Sequence, residues 1–235
     1  MIRAVIFDLD NTLVDFMRMK EEAVKAAIDG MIDAGLSMAK EDATKKIYEI
    51  YDKEGIEYQS VFDKFLIESY GDINYKVLSA GILSYRRARE ASLVLYPHVR
   101  YTLVEIVKRG KKLAVITDAP RREAWLRLCA LNIHHYFDYV LTFEDTGELK
   151  PSPEPFEKAL SMLLIEAREA LMVGDWPERD IVGASKMGIA TVFARYGDTF
   201  GITDSGADYD INDIVELLDI IDALDGGEKG RKGAS

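Results

Sequence analysis

Five short, nearly continuous apolar runs recur along this chain and constrain its fold more than any other feature. They are 2–7 (IRAVIF), 113–117 (LAVIT), 139–143 (YVLTF), 170–173 (ALMV) and 190–194 (ATVFA). A strand with one face in water alternates apolar and polar residues, whereas a strand covered on both faces stays apolar throughout. Between the runs lie segments with helical spacing. Val99, Leu103, Ile106 and Val107 share one face ahead of Gly110. Phe156, Ala159, Leu160, Leu163 and Leu164 share another, behind Pro151, Pro153 and Pro155, which suit a loop and a first helical turn. Strand and helix in alternation predict an α/β fold with a parallel sheet covered on both sides.

Residues 15–95 break the alternation. All six prolines lie at position 97 or later, and four helical stretches are predicted at 16–34, 40–53, 58–70 and 75–91, with Gly35, Gly55 and Gly71 near the breaks. Ala23, Val24, Ala27, Ile28, Met31 and Ile32 form the clearest stripe. The block reads as a helical subdomain inserted after the first strand, entered at Leu13-Val14 and left at Tyr96-Pro97. The expected division is a core of 1–14 and 96–225, an insertion of 15–95, and a flexible Gly/Lys-rich tail at 226–235.

Composition narrows the function classes. An apolar content of 48% supplies a core and excludes disorder throughout. Acids outnumber bases 41 to 30, a net charge of −11, which argues against nonspecific nucleic-acid binding and against docking on anionic lipid. No apolar run reaches the roughly 18 residues a membrane helix needs. A first strand beginning at residue 2 leaves no room for a signal peptide, and the single cysteine, Cys129, has no internal disulfide partner. A cytoplasmic protein, monomer or homodimer, is the expectation. Within Leu128-Cys129-Ala130-Leu131, Cys129 reads as a buried helix residue.

The polar residues gather where the strands end. The first run ends in Asp8-Leu9-Asp10-Asn11-Thr12 and the second in Thr117-Asp118. Lys150 follows the third, and the fourth ends in Gly174-Asp175, with Asp180 five residues on. Ligands of open parallel sheets bind beyond the carboxyl ends of the strands, so these groups are expected on one rim. Singly each is ordinary: Asp-x-Asp is more often a solvated turn or cap, and a lone lysine is a surface residue. Together, each after its own strand, they form a pattern. Neighbouring carboxylates repel unless neutralised. Mg²⁺, with its preference for hard oxygen ligands and a few carboxylates, does so, and Asp175 is a natural third donor.

This constellation resembles the haloacid dehalogenase-like hydrolase superfamily through Asp8-Leu9-Asp10-Asn11-Thr12, Thr117, Lys150 and Gly174-Asp175 with Asp180. The resemblance covers 1–14 and 96–225; the insertion matches only by lying where one subclass carries a cap. It implies a Rossmann-like parallel sheet flanked by helices, with an inserted α-helical cap. It further implies Mg²⁺-dependent hydrolysis of a small phosphorylated metabolite, a phosphate monoester, through an aspartyl phosphate. Asp8 would be the nucleophile and Asp10 the general acid, then base. Thr117 would bind a phosphoryl oxygen and Lys150 would offset charge. The Asp8 side chain, the Asp10 carbonyl and Asp175 would hold Mg²⁺, with Asp180 supporting.

Asp10 favours phosphoryl chemistry over carbon–halogen cleavage, because halide leaves without protonation. A 2-haloacid dehalogenase, phosphonatase or phosphomutase remains an alternative on the same scaffold. A phospho-acceptor signalling domain fits worse, since its acceptor lies on a later strand and it carries no cap. Trp176 and Asp118 depart from the family pattern, which more often has a small polar residue and an amide there; Trp176 is expected to pack under its loop. Arg86, Arg87 and Arg89 read as a solvated helix face, with a contact to an anionic substrate as the alternative.

Overall fold

The computed structural model describes residues 1–229 of the chain. Six strands form one sheet: β1 (Ala4–Phe7), β2 (Lys112–Ile116), β3 (Tyr139–Leu141), β4 (Ala170–Gly174), β5 (Ala190–Ala194) and β6 (Tyr209–Ile211). Ten α-helices accompany them: α1 (Phe16–Asp33), α2 (Lys40–Glu54), α3 (Val61–Tyr70), α4 (Tyr75–Ser92), α5 (Val99–Lys108), α6 (Arg121–Ala130), α7 (Phe143–Thr146), α8 (Pro153–Leu163), α9 (Val182–Lys186) and α10 (Leu217–Lys229).

The strand order is β3-β2-β1-β4-β5-β6, and every pairing is parallel. This is the Rossmann-like order, with the chain reversing direction across the sheet between β1 and β4. β1 is central and wholly buried, which accounts for its unbroken apolar sequence. Its alternate side chains serve opposite faces. Ala4 and Ile6 join Phe156, Ala159 and Leu163 of α8 in one core, while Val5 and Phe7, also fully buried, point the other way. α5 packs beside β2 and α10. No helix among the described residues is long and apolar enough to cross a membrane.

The chain divides into two compact units, Met1–Asp15 with the chain from Val94 onward, and Phe16–Leu93. The second has its own core, in which Ile28 and Met31 of α1 meet Ile47 of α2, Phe65 and Leu66 of α3, and Val77 of α4. Asn74 caps α4, its side chain accepting from the amides of Lys76 and Val77. Arg86 and Arg87 are exposed on α4.

Three sequence readings need correction. A sixth strand, Tyr209–Ile211, extends the sheet; at three residues, with two exposed, it has too little apolar sequence to stand out. Cys129 is exposed, because the buried side of α6 is made by Ala124, Arg127 and Leu128. α10 continues to Lys229, into the segment read as a tail. Asp225 anchors it, accepting from the Ile2 amide at 2.7 Å and from Lys111. The rest of that segment, 230–235, lies outside the described residues.

Phe65 is fully buried in the helical unit, so Phe65→Ala should destabilise that unit by about 3–5 kcal/mol. Urea denaturation followed by circular dichroism is the measurement, with an earlier helix-melting transition as the expected result.

Candidate active site

Strand register places the predicted residues on one rim. Phe7 lies opposite Val115 of β2 and Val173 of β4. The next residue, Asp8, is therefore level with Ile116 and Gly174, and Thr117 and Asp175 come one step later on either side. The Asp8 amide continues the ladder to the Val173 carbonyl at 2.9 Å. Beyond Asp8 the chain curls tightly: the amides of Leu13 and Val14 both bond the Leu9 carbonyl at 3.0 Å. This turn after β1 places the buried Asp8 and Thr12 beside the buried Asp175 and Asp180 that follow β4.

Lys150 organises them. Its ammonium, 4% exposed as a residue, donates to Asp8, to Asp180 Oδ1 at 2.6 Å and to the Ile116 carbonyl at 3.0 Å. Those are the three donors an ammonium has. Asp180 also accepts from the Trp176 amide through its other oxygen at 3.1 Å. Asp175 is held by the Thr12 hydroxyl, 3.0 Å away, and the Thr12 carbonyl accepts from the Tyr196 hydroxyl at 2.8 Å. Two glycines make these approaches possible. A Cβ on Gly174 would stand 2.3 Å from the Asp180 carboxylate, and one on Gly197 only 1.6 Å from the Asn11 carbonyl oxygen.

Asp8, Asp175 and Asp180 bring ligand oxygens within 4.8 Å of one another. The Asp10 carboxylate turns elsewhere, accepting from Arg127 Nη1 of α6 at 2.7 Å. Thr117 is buried at the end of β2, and its hydroxyl accepts from the Ala119 amide at 3.1 Å. The negative charge that Asp118 adds is matched locally: it accepts from Arg179 at 3.0 Å and from the Lys150 amide at 3.0 Å. Trp176 packs against Phe200, ring centres 4.7 Å apart, with the Arg179 guanidinium 3.7 Å above its own ring. Arg127, Arg179 and Tyr196 were not singled out from the sequence. Arg127 and Tyr196 come from elements remote in the chain from their partners Asp10 and Thr12, and Arg179, although next to Asp180, is distinguished only by its contact with the distant Asp118.

Three carboxylates facing one ammonium leave excess negative charge in a dry pocket. Burial, reinforced by Asp180 and Asp10, pushes the Asp8 carboxyl up to about 8 despite the opposing pull of Lys150. Burial, with Asp8 and Asp180, likewise raises Asp175. Burial works against the Lys150 charge, but Asp180, Asp8 and Asp118 outweigh it and hold the ammonium above its ordinary range. A buried, all-oxygen donor set with uncompensated negative charge fits a hard divalent cation. Of the three, Asp8 and Asp175 could hold one, since both Asp180 oxygens already accept hydrogen bonds.

Comparison with known proteins adds independent findings. The family model described as haloacid dehalogenase-like hydrolase matches residues 5–194. The chain is 36% identical over 215 residues to a glyceraldehyde 3-phosphate phosphatase of Methanocaldococcus jannaschii, covering 91% of this chain and 94% of that one. It is 30% identical over 199 residues to a phosphoglycolate phosphatase of Aquifex aeolicus, covering 83% and 86%. Among solved structures it is similar to an HAD phosphatase from Thermococcus onnurineus, with a TM-score of 0.69, 26% identity, and coverage of 94% and 98%.

The raised carboxylates set a pH dependence. An acid whose pKa is higher when folded favours the folded state at low pH, and that contribution is lost as pH rises through the folded value. In metal-free protein the Asp8 contribution should therefore decline from about pH 4 to about pH 8. Thermal melting across this range should show the decline, Asp8→Asn should flatten it, and added Mg²⁺ should raise the melting temperature more at the alkaline end.

Proposed function

The chain belongs to the haloacid dehalogenase-like hydrolase family, and from that premise we propose that it is a Mg²⁺-dependent phosphatase acting on a small phosphate monoester, with Asp8 as its nucleophile. The observation that carries this reading is the buried Asp8–Lys150–Asp180 cluster beside Asp175. Phosphatases are named among its relatives at 30–36% identity over most of the chain, and Mg²⁺ use with an aspartyl intermediate is typical of the family.

Asp8 attacks phosphorus, the bond to the leaving oxygen breaks, and Asp8 becomes a transient aspartyl phosphate. Asp10 gives its proton to the leaving oxygen, then takes one from the water that cleaves the intermediate. Lys150 stays charged throughout, held so by Asp180, and lessens repulsion between an anionic nucleophile and an anionic substrate. The Thr117 hydroxyl and the backbone amides after Asp8 accept part of the phosphoryl charge. Asp8 and Asp175 would hold a Mg²⁺, which would supply further neutralisation of negative charge. Uncatalysed phosphate-monoester hydrolysis is slow enough that accelerations approach ~10²¹-fold, so charge compensation and positioning must supply most of the effect.

We assign the role of cap to the helical unit Phe16–Leu93, inserted between β1 and β2. The named substrates of the relatives are three- and two-carbon phosphates, so the substrate proposed here is a short, anionic metabolite phosphate.

Phosphate release from glyceraldehyde 3-phosphate, phosphoglycolate and p-nitrophenyl phosphate, with Mg²⁺ and with chelator, tests the reading. Activity should require Mg²⁺, and Asp8→Asn should lower kcat on the order of 10⁴-fold or more. Full activity in Asp8→Asn would overturn it.

A further inference from the structure

Arg127 stands out among the residues of the core unit that the proposed mechanism leaves unused. It is 6% exposed, a rare condition for an arginine. It occupies the inward side of α6 together with Ala124 and Leu128, where helical spacing calls for an apolar residue. From there its Nη1 donates to Asp10 Oδ2 at 2.7 Å, with the two side chains 8% and 21% exposed. α6 follows directly on the loop that carries Thr117, so the contact ties that loop's helix to the turn after β1, 117 positions away in sequence.

A buried ion pair is a weak source of stability, because desolvation offsets most of its attraction, and an apolar pair of similar volume often does as well. Positioning is the better account. Lys150 is committed to Asp8 and Asp180, so the Asp10 side chain must be oriented by something else. A short charge-assisted bond to one carboxylate oxygen sets the plane of the group, and with it the direction of the other oxygen. A proton donor is effective only when aimed at the departing atom.

We propose that Arg127 is a positioning residue for Asp10, aiming its carboxyl at the leaving-group oxygen. This rests on the assignment of Asp10 as general acid. The consequence is selective. Substrates whose leaving group is a strongly basic alkoxide depend on Asp10, and so on Arg127; a nitrophenolate departs without protonation and depends on neither.

The test compares kcat/KM for glycerol phosphate and p-nitrophenyl phosphate in wild type, Arg127→Gln, Arg127→Lys and Asp10→Asn. kcat/KM reports the steps up to departure of the leaving group, so breakdown of the intermediate does not blur it. The alkyl-to-aryl ratio should fall about 10²-fold in Arg127→Gln, the scale expected for a misaimed catalytic group. It should fall at least as far in Asp10→Asn and recover in part in Arg127→Lys. An unchanged ratio in both Arg127 variants, with the ratio lowered in Asp10→Asn, overturns the inference and leaves the assignment of Asp10 standing. An unchanged ratio in Asp10→Asn overturns both. Melting temperatures identify a variant that fails to fold; if Arg127→Gln does, the Arg127→Lys ratio decides, and no change in it counts against the inference.

Discussion

A single buried ammonium holds this site together. Lys150 sits among Asp8, Asp180 and the Ile116 carbonyl, and no other cation is bonded to that carboxylate pair among the described contacts. Removing one partner from such a group typically costs about 3–5 kcal/mol, because the charges left behind remain buried. The same arrangement is under-compensated by design of its residues: three acids face one base. The pocket can relieve that excess by taking up protons or by taking up a divalent cation, which is why its acids are raised and why its chemistry follows from its electrostatics.

The sheet makes the crowding possible. In a parallel sheet of order β3-β2-β1-β4-β5-β6 the strands beside β1 come from distant parts of the chain. Their carboxyl ends lie side by side at the point where the chain reverses, and each delivers one polar group to the same edge. The covered faces keep water away, so charge interactions there are stronger than at the surface. Secondary contacts then brace the loops. Asp118 joins the Lys150 backbone to Arg179, and Tyr196 supports the carbonyl of the Thr12 whose hydroxyl holds Asp175. The buried polar groups are thus positioned by strand ends with a second tier of hydrogen bonds behind them.

The helical unit follows a different logic. It has its own apolar core built from four amphipathic helices, and it enters the chain between β1 and β2. The crossing segments meet in a short two-stranded contact in which Val14 bridges Leu95, the Asp15 amide bonds the Val94 carbonyl and the Tyr96 amide bonds the Leu13 carbonyl. An insertion joined at adjacent points of entry and exit leaves the sheet intact, so the polar rim and the inserted helices can each be specified by local sequence.

What the sequence determined by itself was whatever depends on local periodicity and on order along the chain. The doubly apolar runs identified five of the six strands, the helical stripes identified the inserted helices, and the acids and lysine after successive strands identified Asp8, Asp10, Thr117, Lys150, Asp175 and Asp180 as a set. How that set is partnered emerged from the folded chain alone. That Asp180 shares Lys150 with Asp8, that Asp10 pairs with Arg127, and that Asp118 is answered by Arg179 are contacts across 30 to 142 positions of sequence. The exposure of Cys129 was decided the same way, by which side of α6 faced the core. Periodicity is a property of neighbours, and a strand or helix announces itself through them. A buried charge finds its partner through the path of the whole backbone, and no local pattern carries that information.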